Sequence, residues 1–238
     1  MVQRGRKVTA DDVATVKAGG GLYDAADDNI AAIASELKAS PAEVRRVMSA
    51  AAQERAAAMF SGIAGRKAPD ETSPRSMLQA VFGQGPRGGA VNAAAAAKAF
   101  KVTANTVRRW AAGTQKPSAQ RMKKLKNAAR RLTRTKAGRR KSTDACRARR
   151  GRRPGADTVW VTGWQGPADE YASERYRTVK MDVTPDDVDA LLDRYEEDGD
   201  AGLHDWLTNH YRTNDWGGVD GWVFHSIDAF GFGDPNYD

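Results

Sequence analysis

Apolar residues recur at helical spacing through the first two thirds of the chain. Ile30, Ile33 and Leu37 share one face of a helix that the acidic residues before them would start. The segment 40–43 (Ser-Pro-Ala-Glu) predicts another helix start, because serine caps, proline suits the first helical position and glutamate lies three residues after the cap. We therefore predict helices over most of residues 9–60, and a short helix at residues 74–82.

The last third of the chain has a different pattern. Branched and aromatic residues cluster at residues 158–164 and 176–183, which predicts two strands. The Thr-Pro-Asp-Asp sequence that starts at Thr184 predicts a helix start, and a second helix is predicted at residues 201–211. Residues 221–230 predict a closing strand, so this part of the chain is expected to form a small α+β domain.

Residues 91–113 have the pattern of a helix-turn-helix. This motif needs a small residue where its two helices cross, a tight turn, and apolar residues that hold the second helix on the first. Ala97 and Trp110 meet these needs, and Thr103 is expected to cap the second helix. Lys101 stands where the motif usually has glycine. An ordinary helical hairpin in a core is the alternative interpretation.

The second helix of this motif would place its outward side chains in the major groove of DNA, where they read base edges. A basic helix predicted from residue 118 to about residue 135 would pack its apolar stripe on the motif and direct its cations at flanking phosphates. The predicted DNA-binding residues are Thr103, Asn105, Thr106, Arg108, Arg109, Lys116, Lys123, Lys124, Arg130 and Arg131.

The same spacing occurs 63 residues earlier in the chain. The matching positions are Ala34 for Ala97, Lys38 for Lys101, Ser40 for Thr103 and Arg45-Arg46 for Arg108-Arg109. This predicts two tandem helix-turn-helix units, although Ala-rich amphipathic helices also resemble one another by chance. Glu43 would repel phosphates, so the first unit would serve packing or pairing. The predicted fold class is thus a mostly α N-terminal two thirds with helix-turn-helix units, followed by a small C-terminal α+β domain.

Charge divides the chain into three parts. Residues 116–153 carry seventeen Lys and Arg against one acid, whereas residues 154–238 carry five bases and nineteen acids. A cationic segment of this density suits a nucleic acid, and its composition favours disorder at residues 135–156. The predicted organisation is a helical domain with the candidate first unit (1–62), a linker (63–73), a helix-turn-helix DNA-binding domain (74–134), a basic disordered linker (135–156) and an acidic α+β domain (157–238).

Several classes of protein are excluded. No stretch approaches the ~18 consecutive apolar residues of a membrane span, and the basic N-terminus lacks the apolar core of a secretory signal. Cys146 is the single cysteine, which excludes an internal disulfide and a Cys-rich zinc site. No phosphate-binding loop or nucleophile elbow is present. His204 and His210 are six residues apart, on different helix faces, so no metal site and no cofactor are expected.

Four segments, in order, resemble a known family. They are residues 74–82 (PRSMLQAVF), residues 88–117 (GGAVNAAAAAKAFKVTANTVRRWAAGTQKP), residues 175–192 (RYRTVKMDVTPDDVDALL) and residues 222–232 (WVFHSIDAFGF). Together they look like the telomere-protecting terminal proteins of linear actinobacterial plasmids and chromosomes. The resemblance covers residues 74–233, and the combination of segments is more specific than the helix-turn-helix alone.

The resemblance implies a protein that binds telomeric DNA ends and works with a telomere-associated protein and a DNA polymerase. It implies that a side-chain hydroxyl primes DNA synthesis and becomes esterified to the first nucleotide, so the protein is a substrate of the polymerase rather than an enzyme. In the family this hydroxyl is a threonine shortly before the strand at residues 176–183, where this chain has none. The candidates are then Ser173, which Arg175 and Arg177 flank, followed by Tyr171 and Thr162.

A protein of this kind is expected in the cytoplasm, associated with the nucleoid, with no membrane partner and with a second copy of the chain as a candidate partner. The alternative function is a helix-turn-helix transcriptional regulator, in which the acidic domain would serve dimerisation or an effector role.

Overall fold

The structure is a computed structural model that describes residues 7–16, 21–151, 158–167, 175–214 and 221–234. Within these ranges eight α-helices precede the sheet: α1 (Ala10–Ala14), α2 (Asp27–Glu36), α3 (Pro41–Ala64), α4 (Pro74–Phe82), α5 (Ala93–Phe100), α6 (Ala104–Ala112), α7 (Ala119–Arg134) and α8 (Lys136–Gly151). The remaining elements are β1 (Thr158–Pro167), β2 (Arg175–Asp182), α9 (Pro185–Asp198), α10 (Asp200–Asn214), β3 (Trp222–Phe224) and β4 (Ala229–Phe232). The predicted fold class is confirmed.

The first unit consists of α1, α2 and the N-terminal half of α3. Its buried core contains Ile30 and Ile33 of α2, together with Val44 and Met48 of α3. Ser40 caps α3 as predicted, because its hydroxyl accepts a hydrogen bond from the backbone N–H of Glu43. The Glu43 side chain does not complete the capping box and instead accepts a hydrogen bond from Val8 N at 3.2 Å.

Helix α3 has 24 residues, which corresponds to a length of about 36 Å. Its C-terminal half leaves the first unit: Met59 and Ile63 are buried in the core of the C-terminal domain, and Phe60 packs with Ala80 of α4 and Leu132 of α7. The predicted domain boundary at residue 62 is therefore wrong. One continuous helix, α3, contributes side chains both to the core of the first unit and to the core of the C-terminal domain.

The second unit consists of α4 to α7. Its core contains Leu78 of α4, Phe100 of α5, Trp110 of α6 and Leu125 of α7. The apolar stripe predicted for the basic helix is buried, since Leu125, Ala129 and Leu132 are the buried residues of α7. A single 3₁₀ turn, Pro86–Gly88, lies between α4 and α5.

The prediction of a disordered basic linker is wrong for residues 136–151, which form α8. Small residues at helical spacing, Gly138, Ser142 and Cys146, are buried on one face of this helix. Some of its cations pair with acids of α9: Arg147 lies 2.6 Å from Asp193, and Lys136 pairs with Glu197. The acidic domain therefore lies against the chain's own basic segment. Residues 152–156 lie outside the described ranges.

The sheet of the C-terminal domain is antiparallel and centred on β1. Strand β2 pairs along β1 from Thr158↔Asp182 to Gln165↔Arg175, whereas β3 and β4 share the opposite edge of β1. The predicted closing strand at residues 221–230 is two short strands rather than one. The break lies opposite Gly163, where a Cβ atom would stand 2.7 Å from the carbonyl carbon of Ser226. Helices α9 and α10 bury one face of the sheet, on which Val159 and Val161 lie.

Candidate nucleic-acid interface

The α5–α6 segment has the backbone of a helix-turn-helix. Asn92 caps α5, and Lys101 at its end has a left-handed φ of 52°. Val102 N donates to the Ala97 carbonyl at 3.1 Å, which closes the turn. Thr103 caps α6 as predicted, since its hydroxyl accepts a hydrogen bond from Thr106 N at 3.2 Å.

Two apolar side chains fix the orientation of α6. Val107 is fully buried, and Trp110 is 2% exposed. The Trp110 ring meets the Phe100 ring edge to face, with centroids 5.8 Å apart, and the Phe82 ring of α4 also meets Phe100 edge to face at 6.0 Å. Since these contacts hold one side of α6 in the core, the opposite side must face solvent.

The outward side of α6 carries three of the predicted base-reading residues. Asn105, Arg108 and Arg109 are exposed. The hydroxyls of Thr103 and Thr106 lie 2.9 Å apart, so these two predicted DNA-binding residues spend part of their hydrogen-bonding capacity on each other. An amide and two guanidinium groups on one exposed helix face form a set of donors and acceptors that matches base edges in the major groove.

The predicted phosphate-binding cations of α7 and of the segment before it do not form one set. Lys116, Lys123 and Arg131 are exposed. The Lys124 ammonium donates to the Ala99 carbonyl at the end of α5, at 2.9 Å. The Arg130 guanidinium makes two hydrogen bonds, of 2.7 and 2.6 Å, to Glu71 and lowers the pKa of that carboxyl.

The first helix-turn-helix repeats the backbone geometry of the second. Lys38 also has a φ of 52°, and Ala39 N donates to the Ala34 carbonyl at 3.0 Å. Its outward face differs in charge, however, since Arg45 pairs with Asp27 at 2.8 Å and Glu43 is adjacent. The predicted repeat is therefore confirmed for the backbone, whereas the surface of the first unit is poorly suited to phosphates.

Of the three hydroxyl candidates, the structure describes Thr162. Ser173 and Tyr171 lie outside the described residues. Thr162 lies in β1, and its hydroxyl is 2.7 Å from that of its cross-strand partner Thr178. Arg177, expected to flank Ser173, has its guanidinium carbon over the Trp222 ring, 4.8 Å from the ring centroid. Its burial lowers the pKa of its guanidinium.

The histidines of the acidic domain do not gather into a metal site. Within the described ranges, no group of three or more His, Cys, Asp or Glu side chains could hold a metal ion. His210 stacks on Trp206 at 4.5 Å, and burial lowers the pKa of His204. The acidic run at the start of α9 serves its N-terminus, because Asp187 completes a capping box with Thr184.

Lys141 is not among the predicted DNA-binding residues, because residues 135–156 were expected to be disordered. It lies on α8 and lines the same groove as Lys123 and Arg131 of α7. The buried spacing of Gly138, Ser142 and Cys146 is the signal that could have revealed this helix.

None of the described helices is both long and apolar enough to cross a lipid bilayer. No protein-family model, curated protein or solved structure matches the chain. Any function must therefore be inferred from the chain's own surfaces, of which the exposed side of α6 has the most specific chemistry.

Proposed function

We propose that the protein binds double-stranded DNA through α6 and acts as a terminal protein at the ends of a linear replicon. The observation that carries the DNA-binding part is the outward face of α6. Asn105, Arg108 and Arg109 project from a helix that Val107 and Trp110 hold in place. Arginine makes bidentate hydrogen bonds to guanine and asparagine to adenine, so a rigidly held set of this kind can read a sequence.

The terminal-protein part is supported by the resemblance of the four segments. In this proposal, a side-chain hydroxyl oxygen attacks the α-phosphate of a deoxynucleoside triphosphate, pyrophosphate leaves, and the hydroxyl proton is released. The polymerase supplies the catalysis and this chain supplies the oxygen, so the protein acts as a primer. Its partners would be telomeric DNA, the polymerase and a telomere-associated protein, in the cytoplasm at the nucleoid.

The DNA-binding part is tested by comparing two matched variants. Arg108→Ala removes one bidentate contact and should reduce discrimination between the preferred duplex and random duplex by roughly 10- to 100-fold. Arg45→Ala changes the equivalent position of the first unit and should leave discrimination unchanged. Fluorescence anisotropy with both duplexes measures the ratio. Equal effects of the two variants would contradict the assignment of α6 as the reading helix.

The priming part is tested by incubating the protein with polymerase, telomeric template and a labelled deoxynucleotide, followed by denaturing electrophoresis. Label that migrates with the protein is expected to disappear in one of the variants Ser173→Ala, Tyr171→Phe or Thr162→Val. Label that never transfers to protein would favour a tandem helix-turn-helix transcriptional regulator. The observation that favours this second candidate is the shared turn geometry of Lys38 and Lys101.

A further inference from the structure

A groove of about 630 Å³ lies between α7 and α8, with α4 contributing Val81 to its wall. The two helices approach closely at Gly138, where a Cβ atom would stand 2.7 Å from the Leu132 Cα atom. This close approach lies at the end of the groove where α7 turns into α8.

The groove is cationic. Lys123, Lys124 and Arg131 line it from α7 and Lys141 lines it from α8, and Gln120 and Asn127 add side-chain amides. The lining residues all belong to the described part of the chain, and none of them carries a carboxylate. Four cations around one groove with no carboxylate give a strongly positive local potential, which attracts an anionic ligand.

Several cations on other faces of α7 and α8 are paired with carboxylates, unlike those of the groove. On the same two helices, Arg130 pairs with Glu71, Lys136 with Glu197 and Arg147 with Asp193. These three ion pairs lie outside the groove, so the carboxylates of the chain cover other faces of α7 and α8. Lys124 also joins the groove to the helix-turn-helix, since its ammonium donates to Ala99 at the end of α5.

We propose that this groove binds the sugar–phosphate backbone of duplex DNA that flanks the site read by α6. The proposal rests on the DNA-binding function proposed above. Cations and amide donors are the groups that contact phosphate oxygens. None of the described residues that line the groove is aromatic, whereas proteins that bind single strands stack bases on aromatic side chains. The lining therefore favours a paired strand, with its bases stacked on each other and its phosphates outward.

The test compares two triple variants that remove equal charge. The groove variant is Lys123→Ala/Arg131→Ala/Lys141→Ala, which leaves Lys124 in place because it caps α5. The control variant is Lys136→Ala/Arg140→Ala/Arg147→Ala, which removes three cations of α8 that are already paired with Glu197, Glu196 and Asp193. Affinity is measured between 50 and 200 mM salt on two duplexes that share one central site, a short one that spans the α6 contact alone and one extended by a helical turn on each side.

On the long duplex the groove variant should reduce the slope of log K against log salt by about 2 to 3, because each neutralised phosphate contributes about 0.9. On the short duplex it should match the wild type, and the control variant should match the wild type on both. An equal loss of slope in the two variants would overturn the proposal, as would an equal loss on the two duplexes. A larger loss on single-stranded DNA of the same length would overturn the choice of a duplex.

The two proposals fail in different ways. If Arg108→Ala leaves discrimination intact while the groove variant still lowers the slope, α6 is not the reading helix and the groove is a phosphate contact. If Arg108→Ala abolishes discrimination and the groove variant has no effect, α6 reads DNA and the groove does not contact it. Circular dichroism of every variant must match the wild type for these comparisons to hold.

Discussion

Lys38 and Lys101 lie 63 residues apart and have the same left-handed backbone conformation, with φ at 52° in both. They are the two described non-glycine residues with positive φ. Each stands between the two helices of its unit, so a lysine twice occupies a position at which glycine would be free of strain. The equivalence extends to the turn hydrogen bonds that follow, from Ala39 N to Ala34 O and from Val102 N to Ala97 O.

Replacing either lysine by glycine should stabilise the protein. Lys101→Gly removes the Cβ that makes a left-handed conformation costly, and we expect a gain of about 1 kcal/mol in the free energy of unfolding. Lys38→Gly should give a similar gain. Lys101→Ala retains the Cβ and should give none. Urea unfolding followed by circular dichroism measures all three, and an equal gain for glycine and alanine would show that backbone strain is not the cause.

The ion pair between α3 and α10 should contribute strongly to stability. The Arg55 and Asp200 side chains are 8% and 29% exposed, their charged atoms lie 2.8 Å apart, and Arg55 also stacks over Tyr23 at 4.1 Å. Asp200→Ala leaves a buried guanidinium without its counter-ion, and we expect a loss of about 3 kcal/mol. Asp27→Ala breaks the exposed pair with Arg45 and should cost under about 1 kcal/mol.

The close contact of α7 and α8 can be tested with two glycines of the same helix. Gly138→Ala places a methyl group against the backbone of α7, so the helices must separate, and a loss of about 2 kcal/mol is expected. Gly151→Ala meets nothing within 4 Å and should be neutral or slightly stabilising. Thermal unfolding measures the stability of both variants. Equal stabilities would contradict the close packing of α7 and α8 at Gly138.

Alkaline pH should weaken the contact between the N-terminal helices and the acidic domain. Burial raises the pKa of Tyr23 to about 12, and its hydroxyl accepts a hydrogen bond from Ile227 N. Because the folded-state pKa lies above the unfolded value of 10, this contribution is complete below pH 10 and is lost as the pH rises through 12. The two-unit shift corresponds to about 3 kcal/mol.

Tyr23→Phe has no proton to lose, so its stability should fall less between pH 9 and pH 11.5 than that of the wild type. Urea unfolding at the two pH values measures this difference. A wild type and variant that decline in parallel would show that Tyr23 does not contribute to the pH dependence.

Local signals made the helix-turn-helix predictable. Ala97, Thr103 and Trp110 specify the crossing, the cap and the buried face within a few turns of chain, and each occupies the expected place. The caps at Ser40 and Thr184 were predictable for the same reason, since a cap depends on residues three positions apart.

Long-range pairings could not be predicted from the sequence. The density of cations in α8 favours disorder when the sequence is read alone. The helix packs against α9, where Asp193 and Glu197 pair with two of its cations, and these acids follow it by more than 40 residues. The same limit applies to the site: Lys124 and Arg130 look like any exposed cation until Ala99 and Glu71 are placed beside them.

The long helix α3 determines which parts of this protein can fold independently. One end is buried with Ile30 and Ile33, and the other with β1 and α10. Deletion of residues 1–73 would remove Met59 and Ile63 from the core of the acidic domain. The apolar surface that this exposes would favour aggregation. Residues 1–73 are therefore part of the folded core of the protein. Expression of residues 74–238 alone should yield insoluble material.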